Sequence, residues 1–146
     1  QECPLPEQGF RLHQREDLAK HWSFSAGLAA VLGGETAANL GEWKELDDSL
    51  PSGSGFSLVD LAADRSGLQT ALRALDQDRA ASMTAELGRA TDEDLLPREL
   101  LRAPEGLPET AFVQRFDALD RERYRLAVES IDRTLARQRS RQERHD

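Results

Sequence analysis

The chain has 146 residues, of which 38% are hydrophobic, 32% charged and 5% aromatic, and its formal net charge is −8. That length suits one domain with a real core, and an interior poor in aromatics has to be built from Leu, Ala and Val, which favours closely packed helices. The charge is uneven: residues 1–120 carry 11 basic and 22 acidic side chains, and residues 121–146 carry 8 and 5, so the acidic body repels phosphate backbones and argues against nucleic-acid binding through the main domain.

Residues 1–13, with Pro4, Pro6 and Gly9, read as an extended lead-in. The chain begins Gln1-Glu2-Cys3 without a methionine, the form left by removal of a signal peptide or by trimming, and a periplasmic or secreted bacterial protein is the expectation. A lipid-accepting cysteine would be the first mature residue, which Cys3 is not, and a single cysteine closes no internal disulfide. No run of 18 apolar residues is present, so no membrane span is expected.

From Glu16 onward, Leu18, Trp22, Ala26, Ala29 and Leu32 recur at helical spacing, and Gly33-Gly34 ends the run. A second helix over 35–47 sets Leu40, Trp43 and Leu46 on one face. Residues 48–55 are a turn cluster of Asp, Ser, Pro and Gly. Ser57 with Asp60 then matches a capping box, opening a third helix with a core face of Leu58, Leu61, Ala62, Leu68, Leu72 and Leu75. Asp60, Asp64, Gly67 and Ala71 line its adjoining face. Residues 80–87 read as a helix stopped by Gly88, Thr91 caps a short segment, and Pro97, Pro104, Gly106 and Pro108 punctuate the stretch beyond it. Phe112, Phe116 and Leu119, then Tyr124, Ala127, Val128, Ile131 and Leu135, predict a closing helical hairpin or one bent helix. Residues 137–146 have no apolar anchor and are expected to fray as a basic tail, which suits either a solvated helix end or contact with an anionic surface. The predicted fold is all-α, a compact helical bundle with a single domain over 14–136.

Candidate chemistry concentrates around the turn between the second and third helices. Asp60 and Asp64 lie one helical turn apart, where like charges repel by a few tenths of a kcal/mol, so a cation, a metal, a lysine or solvent has to offset them. Lys44, one of two lysines in the chain, is the candidate partner, with Glu45, Asp48 and Ser49 beside it and the turn glycines Gly53 and Gly55 a few residues on. His21, next to Trp22 in the first helix, joins several carboxylates to suggest either a mixed nitrogen and oxygen metal site or an acid–base pair. The plainer alternatives are that Asp60 only caps its helix, that Asp64 pairs with Arg65 or solvent, and that the cluster is a buried salt-bridge hub. No HxxxH, CxxC, Walker or GxSxG element is present.

The block Lys44-Glu45-Leu46, Asp48-Ser49, Gly53-Ser54-Gly55-Phe56-Ser57, Asp60, Asp64 and Gly67, preceded by an acid, lysine and histidine within residues 16–26, resembles the YfiM-like family of predicted bacterial periplasmic (lipo)proteins. A remoter likeness is to VanZ-like membrane proteins, which also place a His-bearing helix before acid-bearing ones. The likeness covers about residues 14–75, and position 18 is Leu where the family pattern has a lysine. It implies an envelope protein without an assigned activity.

Three functions remain open at this level. The leading expectation is an exported envelope protein that binds a partner or ligand, such as an envelope protein or cell-wall component, through an acid-lined cleft comprising Lys44, Asp48, Ser49, Gly53, Gly55, Asp60, Asp64 and Gly67. The second is a metal-assisted hydrolase of a phosphate or cell-wall ester, with Asp60, Asp64 and Glu45 as ligands of a divalent cation, Glu45 and His21 as the catalytic pair, and His21 as general acid or base. Calcium, magnesium or manganese would suit such an oxygen-rich set. The third is a structural or inhibitory interaction protein working through its C-terminal helices.

Overall fold

The computed structural model describes residues 9–50, 53–119, 121–142 and 144. Its seven α-helices, with no strand among the described residues, form an all-α bundle. They are α1 (Glu16–Leu32), α2 (Gly34–Asp48), α3 (Leu58–Leu75), α4 (Ala80–Arg89), α5 (Asp92–Leu95), α6 (Glu109–Phe116) and α7 (Glu122–Gln142), with a 3-10 turn at Arg98–Arg102. None is long and apolar enough to cross a membrane.

The helix α3 is the axis of the molecule. Nearly every residue of its first three turns is buried, because α1 and α2 cover one side while α4, the 3-10 turn and α7 cover the rest. Its most extensive neighbour is α1, and Gly67 permits that approach: a Cβ placed there would lie 2.0 Å from the carbonyl oxygen of Trp22. The far end of α3 leaves this shelter, and Leu72 and Leu75, expected in the core, are about half exposed.

On α2 the expected face holds only in part, at Leu46, which packs against the core. Leu40 and Trp43 point to solvent, with Trp43 66% exposed, and the buried stripe is Ala37, Gly41, Glu45 and Ser49. Small side chains at i and i+4, Ala37 and Gly41, let α2 lie close to α3, and the next position of the stripe, i+8, places one carboxylate, that of Glu45, inside the bundle.

The turn between α2 and α3 is held by the C-terminal half of the chain. Phe56 and Leu107 exchange backbone hydrogen bonds of 2.7 and 2.9 Å, and the Phe56 ring packs on Phe112 at 4.6 Å, with Phe116 and Tyr124 around it. Gly55, at φ +92°, is needed here because a Cβ would lie 2.4 Å from the backbone of Gly106. Residues from Leu12 to Leu135 thus share one core. Leu12, placed in the lead-in by sequence, is fully buried under a tight turn closed by mutual hydrogen bonds with Arg15.

Two helix ends also differ from expectation. The helix α4 runs past Gly88 to Arg89, and α7 continues to Gln142 rather than fraying after Arg137. Polar ties replace the missing apolar anchors: Arg137 donates to Glu99 and Thr134, and Arg139 donates to Gln69.

Candidate functional site

Three helical stripes converge between α1, α2 and α3: His21 and Ser25 from α1, Gly41 and Glu45 from α2, and Asp60, Asp64 and Gly67 from α3. Each is spaced by three or four residues, so each lies on one face of its helix. His21 is at the centre. Its Nδ1 lies 3.2 Å from both oxygens of Asp64 and 3.7 Å from Glu45 Oε1, and its Nε2 lies 3.7 Å from Asp60 Oδ2.

The carboxylates are enclosed. The side chains of Glu45 and Asp64 are 1% and 7% exposed, and only His21 and Asp60, at 12% and 17%, reach the rim. Ser25 Oγ donates to Asp64 Oδ1 at 2.7 Å, so its proton is committed to the carboxylate. The amide of Ser57 donates to Glu45 Oε2 at 3.2 Å, while Ser57 Oγ accepts from the Asp60 amide at 3.0 Å. Half of the expected capping box is therefore present. Glu45, from another helix, occupies the role that sequence assigned to Asp60, which frees the Asp60 carboxylate to turn toward His21.

Lys44 is not the partner of the α3 acids. Its ammonium pairs with Asp48 at 2.6 Å and reaches Glu45 Oε1 at 3.5 Å, from a half-exposed position. Nor do the other turn residues join the centre. Asp48 serves Lys44, and Ser49 Oγ caps the carbonyl of Leu46. Gly53 and Gly55 make the turn itself, where a Cβ at 53 would meet the Asp48 carbonyl oxygen at 2.1 Å. Asp64 does not pair with its neighbour Arg65, which instead clamps Asp132 of α7 through bonds of 2.7 and 2.6 Å. The residues brought together are His21, Glu45, Asp60, Asp64 and Gly67. Two that sequence reasoning missed are Ser25, signalled only by its i+4 spacing from His21, and Arg15, whose guanidinium lies 3.8 Å from Asp60 Oδ1.

Charge in this centre is unbalanced. Three carboxylates face one imidazole, Arg15 is engaged by Asp17 and Glu105, and Asp60 Oδ1 is buried without a hydrogen-bond donor. Burial pushes Glu45 up to about 7, against the opposing pull of His21 and Lys44. Burial likewise raises Asp60. Burial works to lower His21, but the hydrogen bond and charge of Asp64, with Asp60 and Glu45 behind it, outweigh that and hold the imidazole above its ordinary value.

One atom each from His21, Glu45 and Asp64 fall within 4.8 Å of one another. A tetrahedral ion with ligands at about 2.1 Å would set neighbouring ligands about 3.4 Å apart, close to the 3.2 and 3.7 Å separations from His21 Nδ1. The donor set is one nitrogen and two or three oxygens, which suits zinc or manganese better than the all-oxygen preference of calcium or magnesium. Comparison with family models, with curated proteins and with solved structures finds no match to this chain.

Proposed function

We propose that this chain is an envelope protein that binds a divalent cation, manganese or zinc, through His21, Glu45 and Asp64, with Asp60 at the rim. The observation that carries the reading is the trio itself: three potential ligand atoms within 4.8 Å, two of them on buried side chains, among carboxylates that outnumber their cations. A purely structural hub would be better served by equal charges, because a buried carboxylate without a counter-charge costs several kcal/mol. The envelope location rests on the resemblance of residues 14–75 to YfiM-like proteins. The ligand expected from the acid-lined surface thereby acquires a chemical class.

The test is a manganese and zinc titration of the metal-stripped protein, read by calorimetry and by the melting temperature. Saturation at one ion per chain with a rise of several degrees is expected, lost in Asp64→Asn and retained in Asp48→Asn. Absence of any thermal or calorimetric response to either ion would sink the proposal.

A second reading is favoured by one geometric detail. Asp64 holds the Nδ1 side of His21 and leaves Nε2 directed to Asp60 and the rim, the orientation of an acid–base histidine steadied by a carboxylate. In that case the protein is a hydrolase whose His21 Nδ1 carries a proton rather than a metal, and metal-stripped protein should cleave an activated phosphate or acyl ester at a rate that His21→Gln abolishes while Asp48→Asn leaves it intact.

A further inference from the structure

The two nitrogens of the His21 ring face different acids. Nδ1 lies 3.2 Å from Asp64 and 3.7 Å from Glu45, whereas Nε2 faces Asp60, whose Oδ2 is 3.7 Å away. Ring nitrogens direct their bonds away from each other, so a cation gathered at Nδ1 by Glu45 and Asp64 has the imidazole between itself and the Nε2 side. Accordingly, Asp60 is not part of the group of ligand atoms that lie within 4.8 Å of one another. A histidine that ligates a metal through one nitrogen carries its proton on the other, and that N–H is normally donated to a carboxylate, a carbonyl or water, which fixes the tautomer and the plane of the ring. The acceptor standing at Nε2 here is Asp60.

Asp60 is held in place from several directions. Its amide donates to Ser57 Oγ at 3.0 Å in the first turn of α3, and its Oδ1 is buried 3.8 Å from the guanidinium of Arg15. Arg15 is itself fixed by Asp17 and Glu105. It ends the tight turn Leu12–Arg15, whose central residues His13 and Gln14 have φ of +51° and +63°. Positive φ at two successive residues that are not glycine is disfavoured. The turn is secured from outside: the His13 amide donates to Asp92 Oδ2 at 2.9 Å, and its Nε2 donates to the Leu96 carbonyl at 2.6 Å. Strain retained in this way is characteristic of functional sites, and what it sets in position is the charge beside Asp60.

We propose, resting on the reading of this centre as a cation site, that Asp60 is a positioning residue and not a ligand. Its Oδ2 accepts the Nε2–H of His21 and so aims Nδ1 at the ion between Glu45 and Asp64. The present 3.7 Å is an ion-pair distance, longer than a hydrogen bond, so the contact closes by about 0.8 Å in the loaded protein. With Asp60 outside the ligand set, the ion meets one nitrogen and two carboxylates, whose summed charge matches one divalent cation. Calcium, which takes more oxygen ligands than that set contains, is left under-coordinated.

Three roles for this carboxylate separate by substitution. A ligand needs the carboxylate itself, a positioning residue needs an acceptor oxygen at that place, and a bystander needs neither; asparagine keeps such an oxygen and alanine does not. The probe is zinc, titrated calorimetrically into the metal-stripped full chain, with the helical circular dichroism spectrum checked for each variant. Asp60→Ala should weaken zinc binding at least tenfold, and Asp60→Asn should recover most of that loss. Heteronuclear NMR of the zinc-loaded wild type should place the His21 proton on Nε2, slow to exchange with solvent, and this measurement stands without the variants if Asp60→Ala does not fold. A loss in Asp60→Asn as large as in Asp60→Ala would make Asp60 a ligand, unchanged affinity in Asp60→Ala would make it a bystander, and a proton on Nδ1 in the loaded protein would put the ion elsewhere; each overturns the proposal while zinc binding by the wild type stands. No zinc uptake by the wild type would remove the cation reading itself.

Discussion

Replacing Gly67 by alanine tests the seam on which the His21 centre depends. The new Cβ would lie 2.0 Å from the Trp22 carbonyl oxygen and 2.8 Å from its carbon, whereas ordinary contact begins near 3.4 Å, so α1 and α3 have to part by about 1.4 Å. Both obstructing atoms are backbone, and no side chain can rotate out of the way. Overpacking of this kind costs about 1–3 kcal/mol, and a backbone obstacle belongs at the top of that range. Alanine regains about 1 kcal/mol over glycine through helix propensity. The net is a loss of about 2 kcal/mol, which for a chain of this size lowers the melting temperature by roughly 4–8 °C. Gly27→Ala supplies the internal control: it lies within α1 with nothing within 4 Å of its Cβ, so only the propensity gain remains and the melting temperature should rise by roughly 2–4 °C. Thermal unfolding monitored by circular dichroism reads both. The same sign for the two substitutions would refute the close approach of α1 and α3 as described.

The buried polar groups set three further outcomes. Because folding raises Glu45 from 4.5 to about 7, the folded state holds that proton more tightly and its penalty grows as pH rises between those values. At about 1.36 kcal/mol per unit the loss is about 3 kcal/mol, and the raised His21, whose contribution is full below 6.5 and fades as pH climbs through its folded value, acts in the same direction. Urea unfolding in a chelator should accordingly show greater stability at pH 5 than at pH 8, with most of the difference gone in Glu45→Gln; an unchanged slope in that variant contradicts the assignment. Tyr124 is 1% exposed and its hydroxyl has no hydrogen-bond partner, so Tyr124→Phe should leave stability equal or improve it by about 1 kcal/mol, and a loss beyond that would reveal a bond to the hydroxyl. Asp132→Ala breaks the clamp on Arg65 and should cost about 1–3 kcal/mol, measured by the same denaturation; a loss well below that would show the clamp to be incidental.

The parts of the site that are legible in the sequence are those with a periodic signature. Asp60, Asp64 and Gly67 share a face because of their spacing, and that face meets the His21 helix as the spacing implies. Most of the face of α2 reads wrongly from sequence for a physical reason: its buried stripe consists of Ala37, Gly41, Glu45 and Ser49, which carry almost no hydrophobic signal, while of the residues that do, Leu46 packs against the core and Leu40 and Trp43 face outward. Lys44 and the turn residues Asp48, Gly53 and Gly55 look functional through proximity along the chain, yet their contacts serve the turn. Contacts between distant segments, such as Arg15 with Asp60 or Arg65 with Asp132, have no local pattern to announce them.

The aromatic nest around Phe56 has a consequence for how the molecule could be divided. Phe56 belongs to the first half of the chain, and the rings that enclose it, Phe112, Phe116 and Tyr124, all belong to the second. A protease nick in the exposed segment at residues 76–78 would thus leave two pieces still clasped together, and each piece made alone would be a plug without its socket, or a socket without its plug.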